Sequence, residues 1–269
     1  MRIATWNINS VRLRIGLVER FLADEAPDVL CLQETKCTND QFPAKAFARA
    51  GYPHMAVHGQ KGYHGVATVS RVPIRDLGPQ QFCGKEDCRH IAVEVEGPGE
   101  DEGIEVHNFY VPAGGDEPDP ERNEKFAHKL GFAEEMTTLM GDLRDKPAVI
   151  VGDLNIAPDE HDVWSSRQLQ RVVSHTPVER AAMARMIEAG DLIDVARAHV
   201  PADEKLYSWW SYRSKDWAAS DRGRRLDHIW VTRPLEARAM AGGRGTFRVH
   251  KAARGWERPS DHAPVVLDL

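Results

Sequence analysis

Eight short segments rich in β-branched residues run the length of the chain, and they limit the fold more than any other feature. MRIATWNIN, DVLCLQE, GVATVS, HIAVEVEG, GIEVHNFYV, PAVIVGDLN, RLDHIWVT and PVVLDL each have the length and composition of a strand. Few helices separate them. Positions 11–26 carry Leu13, Leu17, Phe21 and Leu22 on one helical face and stop before Pro27. Positions 121–143 carry Phe126, Leu130, Met136, Leu139 and Met140 as an apolar stripe. A third helix opens with Thr176 as cap, Pro177 at the first helical position and Glu179 completing a capping box. It ends at Gly190, a natural left-handed stop. A doubly wound parallel sheet needs a helix between successive strands, and this order does not supply them. The expectation is an α/β (α+β) fold of packed sheets flanked by helices.

The 269 residues leave room for one large domain or two small ones. No stretch reads as a linker, and Val111–Pro120 reads as one long surface loop. Without internal repeats, a single domain over 1–269 is expected. With 42% hydrophobic and 28% charged residues, wholesale disorder is excluded. No run of 18 apolar residues exists, so no membrane span is expected. The N-terminus has no basic start followed by an apolar stretch and reads as the first strand, not a secretory signal. Four cysteines make too few bridges for a disulfide framework and point to free thiols in a reducing cytoplasm. Cys83, Cys88 and His90 fit no common zinc-finger spacing and have no fourth ligand nearby.

Charge is distributed unevenly. From Glu94 to Glu121 there are ten acidic residues and no Lys or Arg. From Lys205 to Arg258 thirteen Lys/Arg face five Asp/Glu. That basic stretch is either a solvated face or a surface that attracts a polyanion, with the acidic stretch turned away.

The polar residues at strand ends carry the chemistry. Strand one runs out into Asn7 and Asn9, the second into Glu34, and EVHNFY ends at Asn108 and Tyr110. AVIVGD ends at Asp153 with Asn155 two residues on, RLDHIW carries Asp227, and Ser260-Asp261-His262 precedes the last strand. One such residue is ordinarily a turn former. Six of them, on strands whose ends lie about 5 Å apart, predict convergence on one rim. Glu, Asp and Asn with a single His make an oxygen-rich set suited to Mg²⁺ or Mn²⁺. A divalent metal, carboxylates and one imidazole are the equipment for hydrolysing a phosphate ester. Adjacent residues of an extended segment point opposite ways, so the partner of His262 is sought elsewhere, at Asp227.

Quoted in order, ATWNINSVR, LCLQETK, GYHGVATVSR, HNFYVPAG, VGDLNIAP, YSWWSYR, RGRRLDHIWVT and ERPSDHAPV resemble the exonuclease III family of AP endonucleases. This family lies within the endonuclease/exonuclease/phosphatase superfamily. The resemblance implies a four-layer α-β-β-α sandwich of two mixed sheets, DNase I-like. It implies a Mg²⁺-dependent (or Mn²⁺-dependent) repair nuclease cutting 5′ to abasic sites, with 3′→5′ exonuclease and 3′-end trimming. By the same resemblance the metal-side residues are Asn7, Glu34, Asp153, Asn155, Asp261 and His262, with Glu34 a direct ligand. Tyr110 contacts the scissile phosphate, and Asp153 either activates water or protonates the leaving group. Asn155 bonds a phosphate oxygen or the nucleophile, Asp227 pairs with His262, and Asp261 is a second metal-side or orienting carboxylate.

Trp209 lies in an aromatic run that is either the core of a strand or, by the family pattern, a pocket for a flipped-out abasic sugar. Arg213, Lys215, Arg222, Arg224 and Arg225 are candidates for backbone phosphates. Arg224 stands where relatives with strong abasic-site activity often carry an apolar or aromatic residue, Ser10 where Gly is common, and Ser211 where Asp is common. The expected partner is duplex DNA with abasic sites, nicks or 3′ ends, met by a monomer in the bacterial cytosol. Three alternatives stand beside this: a mainly 3′-processing enzyme with weak abasic incision, a phosphatase of inositol phosphates or lipids, and a non-catalytic nucleic-acid binder.

Overall fold

The computed structural model describes residues 1–96 and 103–269, so residues 97–102 of the acidic stretch lie outside the described residues. Two six-stranded mixed sheets face each other. The first runs β13 (Phe247–Val249), β14 (Val265–Asp268), β1 (Arg2–Asn7), β2 (Val29–Gln33), β4 (Val66–Ser70), β3 (His54–His58). The second runs β5 (Ile74–Gly78), β6 (His90–Val95), β7 (Ile104–Tyr110), β8 (Ala148–Asp153), β12 (Asp227–Val231), β9 (Ile193–Asp194). A two-residue pair, β10 (Trp209–Trp210) with β11 (Gly223–Arg224), stands apart. All eight segments read as strands from the sequence are strands.

The layers follow from the two-residue period of a strand. On β1, Ile3 joins the core between the sheets, while Ala4 and Trp6 join the outer core beneath the helix Ile15–Glu25. On β8, Val149 and Val151 face the first sheet, while Ile150 faces the helices Glu124–Leu143 and Pro177–Gly190. Strands such as β1 and β8 therefore serve two cores, and the result is helix, sheet, sheet, helix.

The helices correct the sequence reading in detail. The first starts at Ile15, four residues later than expected, and buries Val18, Phe21 and Leu22, while Leu13 is exposed. The second starts at Glu124, capped by Asn123, and its buried face adds Lys129, Phe132 and Leu143. The Thr176–Glu179 capping box is present in both directions. At the far end of that helix Gly190 is still helical, and Asp191 takes the left-handed conformation at φ 46°. Among the described residues no helix is long and apolar enough to cross a membrane.

Candidate active site

The period-two rows that build the inter-sheet core also deliver its polar end. On β1 the inward row runs Ile3, Thr5, Asn7; on β8 it runs Val149, Val151, Asp153; on β12 it runs Val231, Ile229, Asp227. The chain places these polar ends on one rim because β7 and β8 are parallel, with Tyr110 opposite Asp153, and β12 is antiparallel, with Asp227 opposite Asp153. Glu34 follows the inward-facing Gln33, so alternation would send it to the other face. Its φ of 50° turns it back toward the rim. Gly152 makes the bend before Asp153 at φ 139°, where a Cβ would stand 1.9 Å from the Phe109 carbonyl oxygen.

One amide ties the site together. Asn7 Nδ2 donates to Glu34 Oε1 and to Asp153 Oδ2, both at 2.9 Å. Its Oδ1 accepts from the Asn9 backbone at 3.1 Å. Asn7 thus ties two carboxylates together on the rim. The Tyr110 hydroxyl donates to the same Glu34 oxygen at 2.9 Å. The Asn155 backbone N–H donates to Asp153 Oδ1 at 3.0 Å, and its side chain donates to the Val111 carbonyl.

Asp153 and Asp227, two carboxylates directly opposite across antiparallel strands, repel each other. His262 is inserted between them. Its Nδ1 is 2.8 Å from Asp227 Oδ2, whereas its Nε2 is 3.6 Å from Asp153 Oδ2, too long for a hydrogen bond. The Nε2 side is therefore available to another acceptor. The Ser260–His262 turn is held on β1, since Ser260 Oγ donates to the Asn7 carbonyl and the Trp6 indole donates to the His262 carbonyl.

Electrostatics follow from this crowding. Burial alone lowers the pKa of His262, but the charges of Asp227 and Asp153 and the Asp227 hydrogen bond overcome it, and the imidazole is raised to about 10. Burial raises Asp153, His262 opposes, and Asp227 and Glu34 add to the rise, so Asp153 sits well above ordinary carboxylates. Burial also pushes Glu34 up, but the Lys36 charge and hydrogen bond and the Asn7 amide leave it lowered overall. Tyr110 is held in its neutral hydroxyl form by burial and by the Glu34 and Asp153 charges.

These groups open onto a cleft of about 960 Å³ lined by Glu34, Tyr110, Asp153, Asn155, Asp261 and His262 on one side and Trp164, Trp209, Arg213, Arg222 and Arg224 on the other. Asp227 lies behind His262, buried and outside this lining. Asp261 accepts from the Trp209 indole at 3.0 Å and from Asn9 at 3.3 Å, which links it to the aromatic wall. Arg224 lies 5.3 Å over the Trp209 ring and donates to the Val173 carbonyl and Ser174 Oγ. Arg213 and Arg222 are exposed, Arg222 over the Trp164 ring.

Two sequence expectations fail here. Arg225 is not available to a phosphate: it is buried and held by Asp162 at 2.7 Å and Asp194 at 2.8 Å. Asn108 does not reach the rim. It lies between the sheets, accepting from Gln33 and donating to the Leu32 and Ala67 carbonyls. Lys215 is exposed but outside the cleft lining. Sequence reasoning passed over Lys36, whose ammonium is 2.7 Å from Glu34 Oε2. It also passed over Arg89, whose guanidinium lies 4.9 Å over the Tyr110 ring, and Ser208, whose hydroxyl accepts from the Leu226 and Asp227 amides. Their positions depend on tertiary contacts; only the EtK spacing of Glu34 and Lys36 hinted at one of them.

The donor set fits a hard divalent cation. Asp153, Asp227 and His262 bring a carboxylate oxygen or ring nitrogen within 4.8 Å of one another, but His262, raised to about 10, carries protons on both nitrogens, so the carboxylates are the donors for a cation. Asp227 Oδ1 is buried with no hydrogen-bond partner, an anionic oxygen left for a further positive group. Glu34, tied to Asp153 by Asn7, adds a second carboxylate facing the cleft. Carboxylate oxygens in excess over nitrogen, with no thiolate, suit Mg²⁺ or Mn²⁺ better than zinc.

Residues 4–262 match the Endonuclease/Exonuclease/phosphatase family. An exodeoxyribonuclease III from Haemophilus influenzae is 31% identical over 98% of this chain and 98% of its own. The structure of an AP endonuclease from Archaeoglobus fulgidus superposes with a TM-score of 0.85 and 33% identity, covering 100% of both chains. A 3′ phosphatase from Neisseria, solved with a product DNA hairpin, gives a TM-score of 0.85 at 32% identity over 100% of this chain and 99% of that one.

Proposed function

The chain belongs to the endonuclease/exonuclease/phosphatase family, and on that premise we propose that it is a divalent-metal-dependent DNA repair nuclease. Its substrates are duplexes with abasic sites, cut 5′ to the lesion, and 3′ ends, degraded 3′→5′ or trimmed of blocking groups. The observation that carries the reading is the Asn7 amide bridging Glu34 and Asp153 at 2.9 Å each, with His262 alongside. A binding module gains nothing from burying carboxylates that repel one another.

The residues divide the work. Asp153, raised toward neutrality, takes the proton of the attacking water. The imidazolium of His262, oriented through Nδ1 by Asp227, presents its Nε2–H to a non-bridging phosphate oxygen. Asn155 offers a neutral donor to the same group, and the Tyr110 hydroxyl does so by turning its single O–H away from Glu34. A divalent cation beside Glu34 would neutralise phosphate oxygens and the charge developing on the leaving 3′-oxygen. Trp209 and Trp164 give the cleft an apolar wall, and Arg213 and Arg222 give it exposed cations for the backbone. A nuclease of this design acts as a single-domain monomer in the cytosol.

One observation favours a second reading. The Arg224 guanidinium fills space over Trp209, where an abasic sugar would need room, and two hydrogen bonds fix it there. On this reading 3′-end processing outweighs abasic incision.

The test incubates duplexes carrying a tetrahydrofuran abasic analogue, a plain end, a nick or a 3′-phosphate with and without Mg²⁺. Metal-dependent cutting at the analogue supports the first reading, and cutting confined to 3′ termini supports the second. Retarded but intact DNA under every condition refutes both, as does inertness to DNA with phosphate release from an inositol ester.

A further inference from the structure

We propose that Lys36 is a built-in counter-ion for Glu34 that competes with the divalent cation and so sets how tightly the site takes metal; the inference rests on the metal-centre reading above. Of the two carboxylate oxygens of Glu34, Oε1 is satisfied by neutral donors, Asn7 Nδ2 and the Tyr110 hydroxyl, both at 2.9 Å. The other, Oε2, is held by the Lys36 ammonium at 2.7 Å. That is the oxygen a cation at this carboxylate has to share or win. In the metal-free protein the ammonium is the positive charge on Glu34, as the His262 imidazolium is for Asp153 and Asp227.

The backbone is shaped to make this contact. Glu34 and Lys36 both adopt left-handed conformations, at φ 50° and 53°. Such angles are uncommon for residues with a side chain and are retained only where the surroundings enforce them. Here the enforcement is visible: Thr35 N donates to the Gly65 carbonyl at 3.1 Å, Lys36 N to the His64 carbonyl at 2.9 Å, and Thr35 is buried. The two turns aim the side chains of positions 34 and 36 at one point, which a regular strand or a single turn would not achieve.

Lys36 also has somewhere to go. Its Nζ is 2.6 Å from Asn9 Oδ1, and the Asn9 amide in turn reaches Asp261 at 3.3 Å. An ammonium displaced from Glu34 by a cation keeps the Asn9 acceptor and swings on a flexible four-carbon stem. A dication and an ammonium moved to about 6 Å and screened by a water-like dielectric of about 80 still repel each other enough to weaken metal binding by about tenfold. A neutral side chain at position 36 removes that opposition.

The experiment measures Mn²⁺ binding directly, by the electron paramagnetic resonance signal of free Mn²⁺ and by calorimetry, in the absence of DNA. Wild type is compared with Lys36→Met, Lys36→Gln, Lys36→Arg and Glu34→Gln, each checked for folding by circular dichroism. The expected result is about tenfold tighter Mn²⁺ binding in both neutral variants, near-wild-type affinity in Lys36→Arg, and loss of binding in Glu34→Gln. Unchanged or weaker binding in Lys36→Met and Lys36→Gln, with Glu34→Gln still losing the metal, overturns the counter-ion inference and leaves the metal centre intact. Wild-type affinity in Glu34→Gln overturns both.

Discussion

Replacing Asp227 by Asn isolates the role assigned to the buried pair behind the cleft. The substitution keeps the shape of the side chain and one acceptor for His262 Nδ1, but removes the charge 2.8 Å from the imidazole. Breaking a buried ion pair by removing one partner costs about 3–5 kcal/mol, and the retained hydrogen bond recovers roughly 1. A loss of about 2–4 kcal/mol felt at the transition state corresponds to a fall in kcat of about 30- to 1,000-fold. DNA affinity changes by less than about threefold, because Asp227 is buried behind His262 and touches nothing in the cleft. The assay is single-turnover cleavage of a tetrahydrofuran duplex at saturating Mg²⁺, with anisotropy binding of the uncut duplex in Ca²⁺ in parallel. Asp227→Asn combined with His262→Asn should be no slower than His262→Asn alone, since the carboxylate acts through the imidazole. A kcat within threefold of wild type, a matching loss of DNA affinity, or additive effects in the double variant would each refute the reasoning.

Asp153→Asn should abolish cleavage while leaving duplex affinity within a few-fold; parallel losses would make Asp153 a structural residue. Trp209→Ala should slow incision at the abasic analogue more than exonuclease digestion, and Trp209→Phe, which keeps a ring but loses the bond to Asp261, should separate stacking from orientation. Arg213→Gln should reduce the slope of log affinity against log salt by about one, and an unchanged slope would remove Arg213 from the phosphate contacts. The metal-free protein should lose stability as pH rises. His262 has its folded pKa raised to about 10, so its contribution is complete below its ordinary value near 6.5 and disappears toward pH 10. In urea titrations this is a decline of up to about 1.4 kcal/mol per pH unit, and a much flatter profile in Asp227→Asn would identify its source.

The layered fold was legible because the interior strands serve two cores and their apolar residues say so. Asn7, Asp153 and Asp227 could be read as a group for the same reason: each continues an inward row, and parity carries from the core to the rim. Parity fails where the backbone leaves the strand. Glu34 faces the cleft only because of a left-handed turn, which a sequence does not display. Depth is equally invisible, and so Asn108, with the right parity, proved to be a bridge between the sheets rather than part of the rim. Arg224 and Arg225 are neighbours of like charge, yet one lines the cleft and the other is locked between Asp162 and Asp194. Only contacts distant in sequence decide between them. The late start of the first helix has the same origin: Arg14 is fastened to the Ile8–Asn9 backbone and to Arg258, holding the preceding turn out of the helix and leaving Leu13 exposed.

The central claim, that one cleft brings a hard cation and a phosphodiester together, is tested most directly by diffraction. Crystals of Asp153→Asn grown with Mn²⁺ and a duplex carrying the abasic analogue give the cation by its anomalous signal. The account predicts a peak against the Glu34 carboxylate, with the uncut phosphate within hydrogen-bonding reach of His262 Nε2, Tyr110 and Asn155. A peak remote from Glu34, or DNA seated on another face with the cleft empty, would contradict it.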